Sequence, residues 1–133
     1  MSHEGGCFCG AVRYLARGAP GSVTHCHCLH CRRTSGAAFV TWAEFPRAEF
    51  SFTRGAPVSF SSRPGVTRSF CGSCGTPLTY GNDATPGSID VTACSLDEPD
   101  LVSPKDHVFH DRKLGWVRLA DGLPAYPADR NAS

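Results

Sequence analysis

No stretch of this 133-residue chain approaches the ~20 consecutive apolar residues that a membrane-crossing helix requires. Charge of one sign is also scarce: thirteen Lys and Arg stand against twelve Asp and Glu, a formal net charge of +1. That balance argues against bulk electrostatic binding to nucleic acid or to an anionic membrane surface. The opening Met1-Ser2-His3-Glu4-Gly5-Gly6 shows neither the basic nor the apolar region of a secretory signal. A cytoplasmic location is therefore expected. No long amphipathic helix, internal repeat or low-complexity linker is evident, which speaks against helical bundles, solenoids and tethered modules.

What the chain does have is 41% hydrophobic residues, enough to expect one folded domain over residues 1–133. It also has eight cysteines. In a reducing compartment, cysteines at C-x-C and C-x-x-C spacings act as metal ligands rather than as disulfides. An even count would also suit a secreted, disulfide-stapled domain, but the tight clustering and the missing export signal favour metal.

Short segments of strand character alternate with Gly and Pro turns. Val12 to Ala16, Val23 to Cys26, Ala38 to Ala43 and Glu49 to Thr53 read as strands. Val58-Ser59-Phe60-Ser61 and Val66-Thr67-Arg68-Ser69-Phe70 flank Arg63-Pro64-Gly65 and read as a hairpin. Ser88 to Ala93 alternates cleanly, with Ile89, Val91 and Ala93 on one face, and one further strand is expected in the tail between Pro104 and Val117. Arg32 to Ala37 suits no more than a helical turn, since Gly36 would not sustain a long helix. Leu123 to Pro127 reads as irregular. The expected fold is mainly β with little helix.

Three cysteine motifs punctuate this pattern. Cys26-His27-Cys28-Leu29-His30-Cys31-Arg32-Arg33 joins a C-x-C to a C-x-x-C. In extended backbone, alternate side chains share a face, so Cys26 and Cys28 point the same way, and the C-x-x-C turn brings Cys31 to the same metal. Cys7 and Cys9 form a second C-x-C, and Cys71-Gly72-Ser73-Cys74-Gly75 reads as a knuckle with Gly72 and Gly75 free to take positive φ. Cys7, Cys9, Cys71 and Cys74 together make a complete four-sulfur set for a closed, structural zinc. Such a staple contributes ~10 kcal/mol or more in small domains. Spacing also admits Cys7 and Cys9 in the central cluster; the count of four plus three favours the first grouping.

The central set then offers three sulfurs and a vacancy, the pattern of a reactive zinc. Three thiolates make such a centre formally negative, blunt its action on water, and suit it to hold a soft sulfur from a small thiol such as glutathione. His27 should face away from this metal. His30, inside the turn, is a candidate proton relay or partner of the vacant position; the alternative is a solvated surface histidine. Arg32 and Arg33 are candidates for pairing with a ligand's carboxylates, against a solvated basic pair. Phe8 is expected in the core, Cys94 as a small buried hydrophobe, and His25, His107 and His110 in structural or exposed roles.

Gly6-Cys7-x-Cys9-Gly10-Ala11-Val12-Arg13-Tyr14, Cys26-His27-Cys28-x-x-Cys31-Arg32-Arg33-x-Ser35-Gly36 and Phe70-Cys71-x-x-Cys74-Gly75-Thr76-Pro77-Leu78 resemble the glutathione-dependent formaldehyde-activating enzyme family, which includes the centromere protein V relatives. The later Leu96-Asp97 and Leu123-Pro124 extend the likeness over about residues 5 to 127. The resemblance implies a zinc-stapled, β-tent type antiparallel sheet domain and two zinc ions. One would sit on Cys7, Cys9, Cys71 and Cys74, and a catalytic one on Cys26, Cys28 and Cys31. For the name-giving member it implies a carbon–sulfur lyase that joins glutathione and formaldehyde into S-hydroxymethylglutathione. The alternative is a non-catalytic zinc-binding module for a protein partner; a metal or redox sensor is a third reading.

Overall fold

A computed structural model describes residues 1–130 of the chain. Ten strands and one short helix follow one another as β1 (Ser2–Gly6), β2 (Arg13–Arg17), β3 (Val23–Cys26), α1 (Leu29–Ser35), β4 (Val40–Pro46), β5 (Phe50–Arg54), β6 (Val58–Arg63), β7 (Val66–Phe70), β8 (Pro77–Asn82), β9 (Ser88–Thr92) and β10 (Asp106–Val108). They form a three-stranded sheet in the order β1-β2-β5 and a seven-stranded sheet in the order β10-β3-β4-β9-β8-β7-β6. Every pairing is antiparallel except β10 with β3. The expected mainly β architecture is what the chain adopts. No helix among the described residues is long and apolar enough to cross a membrane.

The core lies where the two sheets meet. Tyr14 and Ala16 from β2 pack in one cluster with Ala43 and Phe45 of β4, Leu78 of β8 and Val91 of β9. Strand β4 shows how one segment serves two sides: Ala43 and Phe45 are buried in this core, whereas Val40 and Trp42 join a second cluster with Cys26, Cys31 and Val108. Period-two alternation places Trp42 and the pair Ala43 and Phe45 on opposite faces. Tyr14 is wholly buried and its phenol shares a 2.7 Å hydrogen bond with Ser95 Oγ. Burial pushes that phenol up to about 12.

Several local expectations change in the folded chain. Strand β1 was not evident in the sequence, since Ser, His, Glu and Gly carry little strand preference; its pairing with β2 over Ser2 to Gly6 forms it. Helix α1 begins at Leu29, three residues before the expected turn, because the Cys28 sulfur caps it by accepting from the Cys31 N–H at 3.3 Å. Gly36, at φ +70°, closes it in the left-handed conformation. Phe8 is not in the core but 93% exposed. Cys7 to Gly10 form a turn, so strand alternation does not apply, and the Phe8 N–H donates to Thr76 Oγ1 at 3.1 Å. Cys94 is not a buried hydrophobe either; it is exposed on the 3-10 turn Ala93–Ser95 that follows β9.

Phe45 is fully buried where the sheets meet. Phe45→Ala should therefore cost ~3–5 kcal/mol in urea unfolding. Leu101→Ala, at a site 64% exposed, should stay within about 0.5 kcal/mol of the parent. Equal effects would remove the two-sheet core as the seat of stability.

Candidate metal centres and their cavity

All eight cysteines are free, and seven of them gather into two groups. The sulfurs of Cys7, Cys9, Cys71 and Cys74 all lie within 4.8 Å of one another, and so do those of Cys26, Cys28 and Cys31. Cys7 and Cys9 follow β1 in the small sheet, while Cys71 and Cys74 lie in the turn between β7 and β8 of the large one. The four-sulfur group thus draws its members from both sheets.

Hydrogen bonds onto these sulfurs show how the backbone prepares them. The Val12 N–H reaches Cys7 Sγ at 3.2 Å, and the N–H groups of Ser73 and Cys74 reach Cys71 Sγ at 3.4 and 3.5 Å. Gly75 supplies the positive φ of +83° that the knuckle demands. Gly72 does not take a positive φ; there a Cβ would come within 2.9 Å of a Val58 methyl. Donors aimed at sulfur favour the thiolate over the thiol, and four convergent thiolates suit a tetrahedral zinc. Within this group Cys74 is pushed down to about 5, first by its contact with the Thr76 hydroxyl.

The three-sulfur group is built by β3 and α1. Strand alternation sends Cys26 and Cys28 to one side and His25 and His27 to the other, and the first turn of α1 returns Cys31 to the pair. His27 is wholly buried away from the sulfurs, its Nε2 at 2.9 Å from His107 Nδ1, and His107 Nε2 lies 2.8 Å from Asp121 Oδ2. Burial first, and then the neighbouring His107, push His27 down to about 4. His25 and His110 pack on the same rings, so these histidines form a packed cluster behind β3.

No fourth His, Cys or carboxylate among the described residues joins Cys26, Cys28 and Cys31. Cys31 Sγ accepts from the Trp42 indole N–H at 3.4 Å and from the Arg68 guanidinium at 3.7 Å. Cys28 is pushed down to about 2, chiefly by hydrogen bonds from the Cys26 and Cys31 thiols; Cys26 is pushed up by the same contacts. The donor set is all sulfur, buried at Cys26 and Cys31 and supplied with N–H groups, which fits a zinc ion with one position left open.

The three sulfurs border a cavity of about 690 Å³, within the ~300–1,000 Å³ range of small-molecule sites. His30 also lines it. Arg32 and Arg33 do not: Arg32 turns back to donate to the His27 carbonyl at 3.4 Å, and Arg33 is exposed. The arginines that do line it are Arg63, Arg68, Arg112 and Arg130. They come from β6, β7 and the tail, so sequence proximity to the cysteines gave no sign of them. Glu44 and Asp90, directly paired across β4 and β9, also face the cavity. Burial, and then the charge of Glu44, push the Asp90 carboxyl up to about 7.

The chain is 28% identical over 130 residues to a Halomonas elongata protein named "Putative glutathione-dependent formaldehyde-activating enzyme", covering 90% of this chain and 82% of that one. A crystal structure of a Rhodobacter sphaeroides protein superposes with a TM-score of 0.61 at 22% identity, over 92% of this chain and 98% of that one, and shows the same fold. The model of the family described as glutathione-dependent formaldehyde-activating enzyme matches residues 2–112, and the chain belongs to that family.

Proposed function

We propose that the protein is a zinc-dependent carbon–sulfur lyase that joins a small anionic thiol, of which glutathione is the first candidate, to formaldehyde. The observation that carries this reading is a three-cysteine group without a fourth protein ligand among the described residues, opening on a cavity lined by arginines. The name of the Halomonas relative and the family match support the same substrates. The β-tent architecture, a single domain and a cytoplasmic setting belong to this reading as well.

In it, Cys26, Cys28 and Cys31 hold the catalytic zinc, and Cys7, Cys9, Cys71 and Cys74 hold a structural one. Bound zinc would lower the pKa of an incoming thiol and keep its sulfur a thiolate at neutral pH. The residues of the chain supply the remainder. Arg63 and Arg112 pair with substrate carboxylates, the role that sequence proximity had suggested for Arg32 and Arg33. Arg130 is already paired with Asp106. His30 or Asp90 accepts the thiol proton. The sulfur lone pair then forms the C–S bond as the carbonyl π pair moves to oxygen, and that oxygen takes up a proton to leave a hydroxymethyl thioether. A carboxyl held near neutrality is suited to both proton transfers. Trp42 and Tyr80 wall the cavity and limit water around the reacting sulfur.

The direct test follows glutathione consumption in the presence of formaldehyde, with free thiol titrated over time. The parent should accelerate it over buffer and Cys28→Ala should not; equal rates would leave only a zinc-binding module. Metal analysis should return two zinc ions per parent chain and one per Cys28→Ala chain.

Asp90 carries a second, pH-dependent expectation. Its folded carboxyl binds protons more tightly than in the unfolded chain, where the ordinary value is 3.8. The folded state thus keeps a proton that the unfolded state has lost, and stability falls as pH rises from about 4 to about 7. Asp90→Asn removes that loss, so at pH 8 it should be more stable than the parent by roughly 1–3 kcal/mol, about 1.4 kcal/mol per tenfold in proton affinity less solvent screening. At pH 4 the two should unfold alike. Urea melts at both values read the difference, and an unchanged gap between pH 4 and pH 8 would contradict the raised Asp90.

A further inference from the structure

Arg68 is a buried guanidinium, 5% exposed, near the middle of β7. Such a charge ordinarily survives burial beside a carboxylate. Among the described residues the ion pairs are Arg13 with Asp97, His107 with Asp121 and Arg130 with Asp106, and Arg68 belongs to none of them. Its donors go instead to neutral hydroxyls and to sulfur. Nε donates to Ser62 Oγ at 3.1 Å, Nη1 to Thr34 Oγ1 at 3.2 Å and Nη2 to Cys31 Sγ at 3.7 Å. The guanidinium also lies 5.0 Å from the centre of the Tyr80 ring and 5.9 Å from that of Trp42. Trp42 in turn donates to Cys31. Arg68 and Trp42 are shared by the linings of the 690 Å³ cavity and of a second, smaller one of about 280 Å³. The charge is therefore held rigidly, on aromatic faces, against a sulfur.

That placement has an electrostatic counterpart. Three thiolates and one zinc(II) sum to −1, and a fourth thiolate from a substrate takes the sum to −2. Burying a growing negative charge in a partly closed cavity is unfavourable unless a fixed cation faces it. We propose that Arg68 is the counter-charge of the three-cysteine centre, a positioning residue that acts through Cys31 to retain the metal there and to let the site accept an anionic sulfur. Of the four arginines that line the cavity, Arg68 is the one that donates to a sulfur of this group among the described residues. The assignment rests on the same reading of the three-cysteine centre as a zinc site, but it does not depend on formaldehyde or on turnover.

The test reads zinc retention in the fully loaded protein. Zinc-loaded parent, Arg68→Met, Arg68→Lys and Cys28→Ala are each competed against a chromogenic zinc chelator, and the affinity of each equivalent is obtained from the dye. Arg68→Met keeps the apolar stem but removes the charge. It should weaken the less tightly held equivalent ~10–100-fold and leave the tighter one, on Cys7, Cys9, Cys71 and Cys74, unchanged. Arg68→Lys should recover a clear part of that loss, which a packing role would not produce. Parent-like retention in Arg68→Met would overturn the proposal, and so would equal weakness of the Lys and Met variants or weakening of both equivalents together. If Cys28→Ala still holds two zinc ions, the three-cysteine site itself is misread, and Arg68 falls with it.

Discussion

The convergence of four sulfurs from two sheets is the constraint on which the rest of the molecule leans. Cys7 and Cys9 leave the small sheet, Cys71 and Cys74 leave the large one, and their sulfurs meet within 4.8 Å. The interface between those sheets holds Tyr14, Phe45, Leu78 and Val91. A metal bound by all four thiolates would fix the sheets' relative placement at the edge of that apolar core. With that placement set, β4 runs between core and cavity with one face committed to each.

The second group owes its openness to how its ligands arrive. Cys26 and Cys28 come from one extended segment and Cys31 from the first turn of a seven-residue helix. All three are local in sequence, so they make a half-shell that leaves its far side to the cavity. The sides are closed by residues from distant strands, with Trp42 and Arg68 both donating to Cys31. Behind the half-shell, His27, His107 and Asp121 form a hydrogen-bonded chain that fastens β3 to the tail. His27 Nε2 and both ring nitrogens of His107 are taken up in this chain, while the buried His27 Nδ1 has no hydrogen-bond partner among the described residues.

Selectivity among the cysteines follows from the same geometry. Cys94 resembles the others in composition only. It stands exposed on a 3-10 turn, outside both sulfur groups. Phe8, between Cys7 and Cys9, is displayed to solvent where the sulfurs of those neighbours converge with those of Cys71 and Cys74. In both cases the side chain's position is dictated by the turn that carries it, and hydrophobicity is overruled.

Much of this was legible before folding. C-x-C and C-x-x-C spacings confine their sulfurs to a few ångströms whatever the rest of the chain does, so the three-sulfur cluster and each half of the four-sulfur one are local properties, while the meeting of those two halves is not. Strand alternation is equally local, and it told the cysteine side of β3 from the histidine side. Gly-Pro punctuation marked the hairpin of β6 and β7 and the mainly β class. What local spacing does not carry is which distant segments share a wall. The pairing of β1 with β2, the seats of Glu44 and Asp90 beside each other, and the approach of Arg68 to Cys31 across 37 positions all depend on sheet register. Register is chosen by the burial of whole faces at once, and only the closed tertiary structure makes that choice.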